Sequence, residues 1–210
     1  MFYEDRGEAA DKLEEKILEN KIEPDTVLGV IEGGIPIGRK LSDSLNANFD
    51  FTFSKDIRAP GKPGVIIGSA ATDGTLWLKE DLYDTRCTDR EKILELKEKA
   101  AERARRRLKK YRGDKKLDLR GEEVMIVDEG VEDTSRIAAC IGQARKAGAE
   151  KVYVAVPVAP RYAVQKLNGI SDGTFSVKTP RFVDSLDDYY SSRKKIDRDE
   201  AARHILGNSS

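Results

Sequence analysis

Asp128 and Glu129 are the residues of this chain best suited to chemistry. They stand side by side at the end of the apolar run Val124-Met125-Ile126-Val127, and Gly130 follows them. Thr134 and Ser135 then open a helical pattern that runs to Gly148. Ionised carboxylates are strong hydrogen-bond acceptors, and a pair of them can stand beside a centre that gains positive charge. A strand that delivers acids at its C-terminal tip and turns into a helix is how open α/β sheets build ligand sites. The plainer alternative is a pair of solvated acids at a strand end. Glu32-Gly33-Gly34, after Val27 to Ile31, is a second candidate. Two glycines let backbone approach a ligand closely, or simply form a strand–helix turn. The single histidine, His204, and the distant cysteines Cys87 and Cys140 argue against serine–histidine catalysis, histidine metal sites and a disulfide framework.

The elements that must position these residues follow from periodicity. Ala9, Ala10, Leu13, Ile17 and Leu18 recur at helical spacing, with Asn20 as a stop. Ile37, Leu41 and Leu45 mark a helix after the Glu32-Gly33-Gly34 turn. Phe49, Phe51 and Phe53 alternate with polar residues as a strand does. Residues 55–63 read as a loop, because Pro60, Gly61 and Pro63 exclude regular structure. Val65 to Ala70 and Thr75 to Leu78 flank Asp73-Gly74, a hairpin signal. Thr88 to Glu91 is a capping box opening a long helix through Ile93, Leu96, Ala100, Ala104, Leu108 and Tyr111, broken at Gly113. After the Val124 strand come a helix carrying Ile137, Ile141 and Ala144 and a strand from Val152 to Val156. A short strand near Phe175 and Val177 and a terminal helix from Asp197 to Leu206 complete the pattern. Strands alternating with helices predict a mostly parallel sheet covered on both faces.

The 210 residues suit one domain, 1–210, with a core over about 1–160 and a C-terminal extension over about 161–210. Lys and Arg number 38 and Asp and Glu 38, so no global field draws in nucleic acid. Residues 103–116 nevertheless carry nine basic residues and one acid. They form either an RNA- or phosphate-binding face or a solvated helix end whose cations suit the helix dipole; only Tyr111 interleaves, which favours the solvated end. No apolar run approaches a membrane span, the acidic N-terminus lacks a signal pattern, and reduced cysteines fit the cytoplasm.

The chain resembles the type I phosphoribosyltransferases. Their binding motif for phosphoribosyl pyrophosphate reads roughly V-D-D-G-I-A-T-G-A-T; here residues 127–136 read V-D-E-G-V-E-D-T-S-R. Other pieces follow in order. Phe2 to Gly7 resembles an F-x-D-R opening, and Gly29 to Gly38 resembles G-L-P-R-G-G-V-P-V-A. Lys55 and Pro60 match an R-K-x-x-x-P-type loop, and Ala155 to Ala159 match the strand after the acidic one. Asp187 to Tyr190 resembles a tyrosine-rich tail of one subgroup of predicted members. The resemblance implies an α/β fold with a mostly parallel central sheet flanked by helices and a small hairpin or hood extension. It also implies transfer of ribose 5-phosphate from phosphoribosyl pyrophosphate to a nitrogen acceptor. Asp128 and Glu129 would hold the ribose hydroxyls, and Lys55 would serve as a catalytic-loop cation. Glu32, Gly33 and Gly34 would line the pyrophosphate loop. Gly130, Val131, Glu132, Asp133, Thr134, Ser135 and Arg136 would line the 5-phosphate loop. Mg2+ would arrive on the pyrophosphate rather than at a protein metal site.

The phosphate loop departs from the family pattern. Asp133 and Arg136 stand where the family has threonines, Thr134 where it has glycine, and Glu132 where it has a small residue. A like charge about 5 Å from a phosphate costs roughly 3 kcal/mol at an effective dielectric near 20. Glu32 stands in the arginine place beside Gly33-Gly34, and Gly64 where glutamate is usual. Arg136, one residue into its helix, is expected to point to solvent. Three readings result: a phosphoribosyltransferase with an unusual loop, a non-catalytic sensor or scaffold on the same fold, and nucleic-acid binding through the basic helix. The implied partner is a small molecule, phosphoribosyl pyrophosphate or an altered ligand. A membrane is excluded, nucleic acid is disfavoured and a homodimer is left open.

Overall fold

The computed structural model describes residues 3–59, 62–79, 90–112, 116–194 and 196–206. Expectations placed on Phe2, Pro60, Gly61, Cys87, Thr88 and Gly113 lie outside the described residues. In chain order the elements are α1 (Arg6–Glu19), β1 (Thr26–Val30), α2 (Gly34–Ser44), β2 (Asn48–Thr52), β3 (Ser54–Ala59), β4 (Lys62–Ala71), β5 (Leu76–Leu78) and α3 (Arg90–Arg112). There follow β6 (Glu123–Val127), α4 (Thr134–Lys146), β7 (Lys151–Val158), α5 (Arg161–Asn168), β8 (Gly173–Lys178), a 3-10 turn (Leu186–Tyr189) and α6 (Arg198–Leu206).

Five strands form a parallel sheet in the order β2-β1-β6-β7-β8. Period two decides which face each β6 side chain covers. Val124 and Ile126 pack with Ile137, Cys140 and Ile141 of α4 and Ala163 and Leu167 of α5. Met125 and Val127 pack on the other face with Leu13 and Ile17 of α1 and Ile37 and Leu41 of α2. Each such aliphatic side chain contributes about 1.5–3 kcal/mol by leaving water. From β1 the chain runs one way to β2, while β6, β7 and β8 extend the other way. The reversal lies between β1 and β6, where an open sheet leaves a crevice at its strand tips.

A second sheet, antiparallel and ordered β3-β4-β5, stands apart. Its Ile57, Ile67 and Ala70 pack against Ala100 and Ala101 of α3. The turn between β4 and β5 falls at Asp73-Gly74, where Gly74 takes φ +87 and Asp73 accepts from the Thr75 amide at 2.9 Å.

Two segments differ from expectation. Of residues 55–63, the described ones are strand rather than loop: 55–59 belong to β3, 62 and 63 open β4, and the two strands pair with register shifts among Ile57, Arg58 and Ala59. Among the described residues β5 pairs with β4 only from Gly68 to Ala70, so the start of β4 is an irregular strand edge, where proline is accepted. Residues 161–168 form α5, a helix not expected there, while the short strand expected near Phe175 and Val177 is β8, the sheet's edge.

Candidate functional site

The register sets Gly29 of β1 opposite Val127 of β6, so residues 31–33 and 128–129 leave the sheet side by side. A cavity of about 940 Å³ opens there. Gly33 has a specific reason to be glycine: a Cβ on it would come within 2.1 Å of the Glu129 carboxyl carbon. A Cβ on Gly34 would lie 2.3 Å from the Val127 carbonyl oxygen. The glycine pair thus lets the β1 tip nest against the acidic tip. The Ile31–Glu32 peptide bond is cis.

The strand's alternation continues past its end. Asp128 turns to the α4 side and Glu129 to the α1 side. Asp128 is 6% exposed and accepts from the Glu129 amide at 2.8 Å. Burial pushes its carboxyl up to about 7, although Arg136 pulls the other way. Glu129 accepts from Arg6 through Nε at 2.9 Å and Nη2 at 2.7 Å, and from Arg193 at 2.7 Å. Burial opposes its ionisation, but Arg193 and Arg6 outweigh burial and hold the carboxyl below its ordinary value.

The loop after Glu129 is pinned by the C-terminal segment. The Val131 amide donates to Val158 O at 2.9 Å. Gly130 takes φ +154 beneath Leu186, whose Cδ2 would be 2.3 Å from an added Cβ. Tyr190 Oη donates to Glu129 O at 2.7 Å. Glu132, expected among the phosphate contacts, instead accepts from the Leu186 amide at 3.0 Å. Asp133 caps α4, accepting from the Ser135 amide at 2.8 Å, and pairs with Lys79. Neither Glu132 nor Asp133 lines the cavity. Backbone amides and Lys79 engage these two carboxylates away from the cavity lining. Thr134 and Ser135 are buried at the start of α4, and Ser135 Oγ has no hydrogen-bond partner among the described residues.

Arg136 also departs from expectation. It lines the cavity and donates to Ile31 O at 3.3 Å, attracted by Asp128 and Asp56. The signal was in the sequence: residues 136, 140 and 144 share a helical face, and Cys140 and Ala144 are buried. Lys55, on β3, lines the same cavity and is exposed.

Helix α3, whose basic run the sequence leaves open between a phosphate-binding face and a solvated end, brings part of that run to the cavity. Arg103, Arg106, Arg107 and Lys110 line the cavity, and their spacing puts them on one helical face. Arg107 pairs with Glu32 and sits 5.9 Å from the Phe53 ring centroid; Tyr111 Oη donates to Glu32 at 3.4 Å. The acid expected to repel pyrophosphate is thus neutralised across the cleft. With Arg6, Lys55, Arg136 and Arg193, eight cations line the cavity against the carboxylates of Glu32, Asp56, Asp128, Glu129 and Asp187.

Comparison with known proteins agrees with this architecture. The phosphoribosyl transferase domain matches residues 3–190. Proteins from two Mycobacterium tuberculosis strains, provisionally named phosphoribosyl transferases, are 27% identical over 97% of this chain and 46% of theirs. The chain therefore spans about half the length of these curated relatives. The crystal structure of TT1426 from Thermus thermophilus superposes over 100% of both chains with a TM-score of 0.83 and 25% identity. A Giardia lamblia adenine phosphoribosyltransferase, solved with 9-deazaadenine, shares the fold at a TM-score of 0.50 and 12% identity, covering 82% of this chain and 80% of that one. A match this long, over a sheet whose acidic strand lies at its topological reversal, makes the chain a member of the phosphoribosyl transferase domain family.

Proposed function

We propose that this domain binds a phosphorylated small molecule in the cleft between Gly33 and Asp128 and does not transfer ribose phosphate. One observation carries the reading: the Asp133 carboxylate sits on the Ser135 amide at the start of α4. A helix N-terminus attracts an anion through its unpaired amides and dipole. Here the chain's own carboxylate meets that demand, and Lys79 compensates its charge. The 5-phosphate of a ribose ligand would have to displace it. Glu129 supports the same reading, since two guanidinium groups already claim both of its oxygens.

Asp133→Thr with Thr134→Gly is expected to raise affinity for ribose 5-phosphate about tenfold, because it frees the α4 amide that the Asp133 carboxylate occupies and leaves the Lys79 cation beside it. Calorimetry of both proteins with ribose 5-phosphate, and of the wild type with phosphoribosyl pyrophosphate and Mg2+, checks it. Micromolar wild-type binding of phosphoribosyl pyrophosphate, with pyrophosphate released on adding a nucleobase, would overturn the reading.

Asp128 supports a second reading, an active transferase. Its carboxyl, pushed up to about 7, can hold or accept a proton beside the cleft near neutral pH. Mg2+ would then come with the pyrophosphate and neutralise its charge. Asp128 would accept from a ribose hydroxyl, and Arg136 would keep its carboxylate oriented.

A further inference from the structure

Arg103 and Lys110 stand seven residues apart on α3, with Arg106 and Arg107 between them on the same face. Seven residues of helix span about 10 Å, longer than one phosphate group needs. Arg107, tied to Glu32 and resting on Phe53, anchors the stripe at the mouth of the cleft. Ala104 and Leu108 hold α3 in place against Ile31, Ile35, Phe51 and Phe53. The opposite wall carries Arg136 and Arg193. A chain of linked phosphates is the ligand chemistry that matches a row of cations along one helix.

We propose that the α3 stripe is a subsite for an oligophosphate chain, such as the triphosphate of a nucleotide or inorganic tripolyphosphate. It would replace the α4 N-terminus as the phosphate-binding element of this cleft. This rests on the reading that the cleft takes a phosphorylated ligand. Arg105 and Lys109 provide an internal control: they lie on the same helix but line a different cavity, with Leu117 and Gln143.

The test is calorimetry of the full chain with inorganic phosphate, pyrophosphate, tripolyphosphate and adenosine triphosphate. Affinity is expected to rise with each added phosphate. R103Q/K110Q is expected to weaken tripolyphosphate binding about tenfold or more, as loss of two charge-assisted contacts should. R105Q/K109Q, which removes the same charge, is expected to change it less than about twofold. Thermal melts of both variants confirm that they fold; all four side chains are exposed rather than packed in the core. Tripolyphosphate binding that survives in R103Q/K110Q would overturn the α3 assignment and leave the cleft reading standing. Equal losses in the two double variants would reduce the effect to diffuse charge and also overturn it. Failure of the wild type to bind any of the four probes would sink the cleft reading and the subsite together. Tighter binding of adenosine triphosphate than tripolyphosphate would support the subsite and identify a nucleotide as its source.

Discussion

At the scale of single residues, Asp128 and Glu129 show how neighbours can have opposite electrostatics. Glu129 ionises easily between Arg6 and Arg193. Asp128 is buried, and its carboxyl sits near 7. That difference predicts a pH effect whose sign follows from proton binding. An unfolded aspartate releases its proton near pH 4, but folded Asp128 keeps it to about pH 7. Between these values the native state binds more protons, so stability falls as pH rises and levels off above. Asp128→Asn cannot ionise, keeps an acceptor for the Glu129 amide, and leaves Arg136 its attraction to Asp56. Urea unfolding from about pH 5 to pH 8 should therefore show the variant gaining on the wild type, by at most about 3 kcal/mol. His204, whose value burial lowers, drives stability upward with pH over part of this range. It is present in both proteins and cancels in the comparison. Parallel pH profiles would mean that Asp128 ionises normally.

At the scale of elements, the C-terminal 3-10 turn acts as a strap over the acidic loop. Leu186 covers Gly130, its amide meets Glu132, and Tyr190 and Arg193 hold Glu129. Gly130→Ala would force a methyl group into Leu186 at a positive φ. The expected cost is roughly 1–3 kcal/mol, with faster proteolysis near residues 183–194. A variant as stable and as protease-resistant as the wild type would mean that the strap shifts freely. Sequence periodicity was informative wherever one apolar face repeated, as in Val124 to Val127 and in Ile137, Ile141 and Ala144. It failed at β3, whose alternation is interrupted by register shifts. It also missed α5, eight residues long with only Ala163 and Leu167 buried. The acids at residues 132 and 133 were visible, but their partners were not. Leu186 and Lys79 lie 54 residues away in either direction, and no local pattern reports such pairing.

At the scale of the molecule, a net charge of zero hides a separation of charge. Cations converge on the cleft, while Glu132 and Asp133 are engaged elsewhere. Composition argued against a field that draws in anions; topology creates a local one, and narrow clefts focus it. The same geometry bears on nucleic acid. Binding a strand needs cations along an open path and aromatic faces on which bases stack. Here four of the helix cations face into a cavity. Tyr111, the aromatic within the basic run, packs edge-on to Phe51 with ring centroids 6.2 Å apart and directs its hydroxyl to Glu32. Its ring is committed to packing. Single-stranded RNA is therefore expected to give no gel shift at about 0.15 M salt, where nonspecific phosphate contacts are already weakened. Under the same conditions tripolyphosphate should bind, with affinity that falls as salt rises. An RNA complex that persists at that salt and is lost in R105Q/K109Q would instead place a nucleic-acid surface on the outer side of α3, because those two residues face away from the cleft.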